Sequence, residues 1–132
     1  MTSRGLLDTN ALISWSEGRP IDLETMPDEL YVSAFTLGEL EHGIHTAPDA
    51  TARRARTRTW ALASECEPLD TDLQVASEWA LLRHLLETAG RRVRVNDLWI
   101  AAIAIAHDQP VVTRDEDFDA IAAVSRLQVI TV

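Results

Sequence analysis

Short apolar runs alternating with helix-patterned segments predict an α/β fold, with a parallel sheet covered by helices on both faces. Three observations carry this. Residues 30–33 and 110–113 are strand-length apolar runs next to turn residues. Val75, Trp79, Leu82 and Leu86 recur at helical spacing. Asp8, Asp97 and Asp115 fall at a strand end, a helix start and a second strand end, and Glu39 lies on a helix just beyond a strand. Open α/β sheets build their sites outside the carboxyl ends of the strands, so this placement fits the fold as well as a function.

Taken in order, residues 4–7 read as a short buried strand and residues 9–17 as a helix with Leu12, Ile13 and Trp15 inward. Residues 18–29, with Pro20 and Pro27, read as a loop or irregular turn. Residues 30–33 form a second strand, and the helix after it runs to about His45. Pro48 and Asp49 break that helix, residues 50–64 are helical again, and residues 67–70 are a turn or a short strand. Thr71 begins the clearest helix, because Thr71 and Gln74 have capping-box spacing and Gly90 supplies a stop. Asn96 starts a helix ending near His107 that is apolar all round, so it is expected inside the domain. Residues 110–113 are a strand, 116–122 a short helix and 127–132 a last strand. No internal repeat or linker interrupts the pattern, and residues 1–132 read as one domain.

With 46% hydrophobic and 25% charged residues, the chain belongs with ordinary globular proteins rather than disordered ones. The longest apolar stretch, residues 98–106, is too short to span a bilayer, and no signal-peptide pattern is present. A membrane is therefore not an expected partner. The single cysteine, Cys66, excludes an internal disulfide framework and a cysteine-based zinc site. A reducing cytoplasm is the natural setting, with secretion by a route lacking a signal peptide left open. The net charge of −9 argues against broad, sequence-independent nucleic-acid binding. It leaves a nuclease open, since part of the excess charge sits in the acidic set that cations neutralise. All 12 basic residues are arginine. Arginine forks match phosphate oxygens well.

Each acid alone has an ordinary explanation. Asp8 suits an N-cap, Asn96 and Asp97 suit the start of the apolar helix, Glu39 closes a capping box with Thr36, and Asp115 suits a turn. Caps alone do not require all four to be acidic. Carboxylates gathered at one edge repel unless a cation or protons intervene, and a hard divalent metal is the economical explanation. Metal-assisted phosphoryl chemistry is the commonest use of such a site.

Leu7-Asp8-Thr9-Asn10, Ser33-x-x-Thr36-x-x-Glu39-Leu40, Asn96-Asp97-x-x-Ile100-Ala101-Ala102 and Thr113-Arg114-Asp115-x-Asp117-Phe118 together resemble the motifs of PIN-domain ribonucleases. Size and motif order are most similar to VapC toxins of bacterial toxin–antitoxin pairs, and the resemblance covers nearly the whole chain. It implies a PIN-like α/β/α sandwich around a central parallel sheet. It also implies a Mg²⁺-dependent endoribonuclease, with Mn²⁺ as a substitute, that cleaves RNA to inhibit translation and growth. A cognate VapB-type antitoxin would neutralise it, within a toxin homodimer and a toxin–antitoxin hetero-oligomer. Residue by residue, Asp8 and Asp97 match the principal metal ligands, and Glu39 and Asp115 match the other two acids. Asp115 would complete the metal site or hold a second ion, with Asp117 replacing or supporting it. Thr9, Asn10 and Thr113 fit either hydrogen bonds to these carboxylates or plain capping and turn roles. The alternative within the same fold is a catalytically inactive PIN-like module that binds RNA or protein.

Two arginine runs stand out. Arg53, Arg54, Arg56 and Arg58 read as a solvated helix surface, whereas Arg91, Arg92 and Arg94 lie in the turn before Asp97 and are candidates for RNA phosphates or an acidic partner segment. Trp15, Trp79 and Trp99 read as core or interface residues, and the four histidines lack metal-ligand spacing. A receiver-type signalling domain needs a lysine near a late strand end, and this chain has none. A haloacid-dehalogenase-type phosphohydrolase needs an aspartate two residues after the first, where this chain has Asn10. No Walker-type loop or Gly-x-Ser-x-Gly elbow is present.

Overall fold

Successive side chains of a strand point to opposite faces, so the adjacent leucines Leu6 and Leu7 commit the first strand to burial on both sides. In the computed structural model, which describes residues 2–132, that strand lies at the centre of the sheet. Strands β1 (Arg4–Leu7), β2 (Glu29–Ser33), β3 (Glu67–Leu69), β4 (Val111–Thr113) and β5 (Val129–Thr131) are ordered β3-β2-β1-β4-β5. Every neighbouring pair is parallel. Leu6 pairs with Tyr31 and Val111, and Leu7 with Val112.

The alternation sorts the core into two layers. Leu6 and Val111 pack with Val75, Leu82, Ile103 and Ile121, from helices α4 (Leu73–Thr88), α5 (Val95–Ala106) and α6 (Asp119–Val124). Leu7, Val32 and Val112 pack with Ala11, Leu12, Leu40 and Ala63, from α1 (Thr9–Ser16), α2 (Ala34–His45) and α3 (Ala50–Ser64). Each fully buried leucine or isoleucine contributes about 1.5–3 kcal/mol of transfer free energy. The expected α/β/α sandwich is therefore present. Gly5 makes the central strand possible: a Cβ there would stand 2.6 Å from Val112 Cγ2 and 3.1 Å from Pro27 Cγ.

α5 is the apolar helix the sequence places inside, and Ile100 through Ile105 are all buried. Trp99 leaves its flank to stack between Phe35 (centroids 5.4 Å apart) and Trp79 (4.9 Å). Three local expectations change. The cap of α4 is Asp72, whose carboxylate accepts from the Val75 amide at 3.1 Å, so Thr71 and Gln74 form no capping box. Aspartate one residue later offers the same reach with a charge that suits a helix start. α5 begins one residue early, with Arg94 at its cap position and no side-chain cap bond, which leaves Asn96 inside the first turn. The short C-terminal helix starts at Asp119 rather than 116, because the preceding residues turn around Asp115.

Candidate active site

Parallel pairing of β1 with β4 places Leu7 beside Val112, so the residues that follow each strand emerge side by side. Thr113 Oγ1 there donates to Asp8 Oδ2 at 2.7 Å. The other oxygen, Oδ1, accepts from the Ala11 amide at 2.7 Å. Asp8 thus is the N-cap of α1 and a member of the acidic edge at once. It is 3% exposed. Burial pushes its carboxyl up to about 6, against the pull of the Thr113 and Ala11 hydrogen bonds, and the charges of Asp115 and Asp97 add to the rise.

Asp115 has the opposite balance. Burial alone would raise it, but the Asp117 amide (3.0 Å to Oδ1), Asn10 Nδ2 (2.8 Å to Oδ2) and Thr113 hold it below the usual carboxylate range. Asn10 and Thr113 therefore support carboxylates, beyond any capping role. Two neighbouring acids pushed in opposite directions is the arrangement in which one binds protons or a cation while the other stays ionised.

Glu39 comes from α2, and the capping box with Thr36 that was its ordinary alternative is absent. Ser33 caps α2 instead, accepting from the Thr36 amide at 3.1 Å. This leaves Glu39 free to face α1, where Thr9 Oγ1 donates to its Oε1 at 2.9 Å. The Thr36 hydroxyl lies 3.2 Å from Thr9 Oγ1 and 3.2 Å from Ser33 Oγ. Ser33 and Thr36, both fully buried, are members of the site's support that motif reading did not single out for a role. Their signal is a Ser-x-x-Thr-x-x-Glu spacing, which runs along one face of a helix.

Asp97 lies in the first turn of α5 and is 6% exposed. Burial raises its carboxyl, the Arg94 guanidinium opposes the rise, and Asp117 and Glu39 add repulsion. Arg94 Nε meets Asp97 Oδ2 at 3.2 Å, and the same guanidinium lies 3.8 Å from Asp117 Oδ2. Asp115 and Asp117 therefore serve different sides: Asp115 joins Asp8, and Asp117 joins Asp97. A cavity of about 630 Å³ opens here, lined by Arg91, Arg92, Arg94, Asp97, Glu116 and Asp117. A second, of about 440 Å³, runs past Thr9, Asn10 and Glu39 to Arg56 on α3, with Arg94 on the wall of both.

The predicted acids therefore converge on one edge, and buried Asp8 feels the charge of Asp97. Among the described residues no three acidic, histidine or cysteine side chains already close into a cage. The donor chemistry nevertheless fits a hard divalent cation. All donors are oxygens, two of the carboxylates are held protonation-prone by burial, and Mg²⁺ takes only one or two carboxylates while keeping several waters.

Comparison with known proteins agrees with this geometry. The PIN domain profile matches residues 5–124. Ribonuclease VapC5 of Mycobacterium tuberculosis is 39% identical over 128 residues, covering 97% of this chain and 95% of the relative. Ribonuclease VapC4 of the same organism is 40% identical over 98% of this chain and 97% of its own length. The crystal structure of VapBC-5, a member of the VapBC family of toxin–antitoxin systems from M. tuberculosis, superposes with a TM-score of 0.90 at 37% identity, covering 98% of this chain and 99% of that one.

Proposed function

This chain belongs to the PIN-domain family and, within it, to the VapC ribonucleases, and from that premise we propose that it is a metal-dependent endoribonuclease acting as the toxin of a VapBC-type pair. The observation that carries the reading is the meeting of Asp8, Asp97, Asp115 and Glu39 at the carboxyl edge of a parallel sheet, with buried Asp8 pushed up to about 6. A carboxylate kept at that cost in an apolar setting is an unstable arrangement that a bound cation relieves.

Asp8 and Asp97 would hold the ion, Mg²⁺ with Mn²⁺ as a substitute. Asp115 would complete the site beside Asp8, with Asp117 supporting it from the Asp97 side. When bound, the ion supplies a lowered pKa for water and neutralises charge on the phosphate. Glu39, steadied by Thr9, orients the attacking water or takes its proton. Asn10 and Thr113 hold Asp115 and Asp8 in fixed rotamers, so the carboxylates need little reorganisation. Arg91 and Arg92 supply fixed positive charge for RNA phosphates along the larger cavity.

The partner is a VapB-type antitoxin, as the VapBC relatives imply, and an arginine or lysine from it would pair with the acidic edge. A homodimer and a larger hetero-oligomer follow from the same reading, as does action in the cytoplasm. No helix among the described residues is long and apolar enough to cross a membrane.

The test uses purified protein freed of any antitoxin, total RNA, and Mg²⁺ or Mn²⁺, with Asp8→Ala and Asp97→Ala alongside. Discrete cuts that need metal and vanish in both variants are expected. Cuts that persist in both variants would refute the site, and no cuts at all would favour a binding-only PIN module.

A further inference from the structure

We propose that Arg94 is a built-in counter-ion of the active site, which competes with the divalent cation for Asp97 and must swing away for metal to load. The proposal rests on the site reading above and adds a residue and an order of events to it. Arg94 Nε lies 3.2 Å from Asp97 Oδ2, and its terminal nitrogen 3.8 Å from Asp117 Oδ2. One guanidinium thus bridges two acids on the Asp97 side of the cleft, where an ion would otherwise offset their repulsion.

The pairing is built to be broken. The Arg94 side chain is 65% exposed, while the Asp97 side chain is 9% exposed. An exposed arm on a buried carboxylate gains little from the pair, because solvent screens the cation and rotamer freedom is lost in holding it. Arg94 also caps nothing: it stands at the cap position of α5 without a side-chain cap bond, so the helix does not depend on its pose. It lines both cavities that meet at the acids, so in its paired position it stands between them. It shares the wall of the larger cavity with Arg91 and Arg92, where a phosphate oxygen is the natural partner for a fork freed from Asp97.

The sequence offers a matched control. Arg91 lines the same cavity and carries the same charge, yet it makes no ion pair among the described residues. Mn²⁺ affinity is read directly from the electron paramagnetic resonance signal of free ion, in protein freed of antitoxin and without RNA. Arg94→Gln is expected to bind Mn²⁺ about threefold to fivefold more tightly than the native chain, the scale of a partly exposed ion pair. Arg91→Gln is expected to stay within the native value. Circular dichroism melts of both variants check that the fold is intact. Equal affinity in Arg94→Gln and the native chain would overturn the proposal and leave the metal site standing. Equal tightening in both variants would also overturn it, since that marks a diffuse charge effect. Absence of Mn²⁺ binding in all three proteins would overturn the metal reading itself.

Discussion

Replacing Asp8 by asparagine should stabilise the metal-free protein while destroying its function. The folded chain holds the Asp8 carboxyl at about 6 against an ordinary 3.8, chiefly by burial. A raised carboxyl means that the folded state binds the proton more tightly than the unfolded one. Stability therefore falls as pH climbs from about 4 to about 6, and stays low above it. The shift from 3.8 to about 6, at about 1.36 kcal/mol per unit, corresponds to about 3 kcal/mol of strain at neutral pH. Asp8→Asn removes that strain without removing the bonds. Its oxygen still accepts from the Ala11 amide, its NH₂ donates to Thr113 Oγ1, and the Thr113 proton turns to Asp115 Oδ1, which already lies 3.3 Å away. For a chain of this size the gain is about 10 °C in Tm. Thermal melts in EDTA from pH 4 to 8 measure it. The expected result is a gap that is wide at pH 7.5, closes near pH 4, and narrows or reverses when millimolar Mn²⁺ stabilises the native chain alone. An Asp8→Asn variant no more stable than the native protein at pH 7.5 in EDTA would falsify the claim that burial strains this carboxylate.

Other perturbations reach different parts of the molecule. Gly5→Ala drives a Cβ to within 2.6 Å of Val112 Cγ2, and overpacking of that kind costs about 1–3 kcal/mol in urea denaturation. A change below 0.5 kcal/mol would mean the central strands have slack. Asn10→Ala removes a 2.8 Å bond from Asp115, so cleavage should fall about tenfold or more with little change in Tm, as for other residues that orient a ligand carboxylate. Unchanged turnover would remove Asn10 from the site. Arg92→Gln should weaken RNA binding and lower the slope of log affinity against log salt by about 0.7, the value for one phosphate on a single strand. An identical slope would place Arg92 outside the RNA path.

The architecture was legible because burial on two faces leaves a plain trace. Leu6-Leu7 and Val111-Val112 are too short for helices and apolar at adjacent positions, which only a strand covered from both sides tolerates. The four acids were legible because strand ends and helix starts can be placed from those runs. What the sequence blurred was local chemistry with several equivalent solutions. Thr71 and Asp72 are both good caps, and only the chain's path selects Asp72. Glu39 fits a capping box on paper, but Ser33 takes the capping role and Thr9, 30 residues upstream, takes Glu39. Arg94 read as a candidate for RNA phosphates or an acidic partner segment, because sequence shows its charge and not its partner within the chain. Its contact with Asp97 depends on a rotamer at the first turn of α5.

The strand order has a consequence for how the protein is made. Asp8 precedes the hydroxyl that holds it, Thr113, by 105 residues, and its acidic neighbour Asp115 follows only after β4. A chain made only as far as α5 carries Asp8, Glu39 and Asp97 without the hydroxyl that steadies Asp8. Any product truncated before β4 lacks Thr113 and Asp115 altogether. Separating Asp8 from Thr113 by 105 residues keeps the candidate site unfinished until β4 has been made and paired with β1.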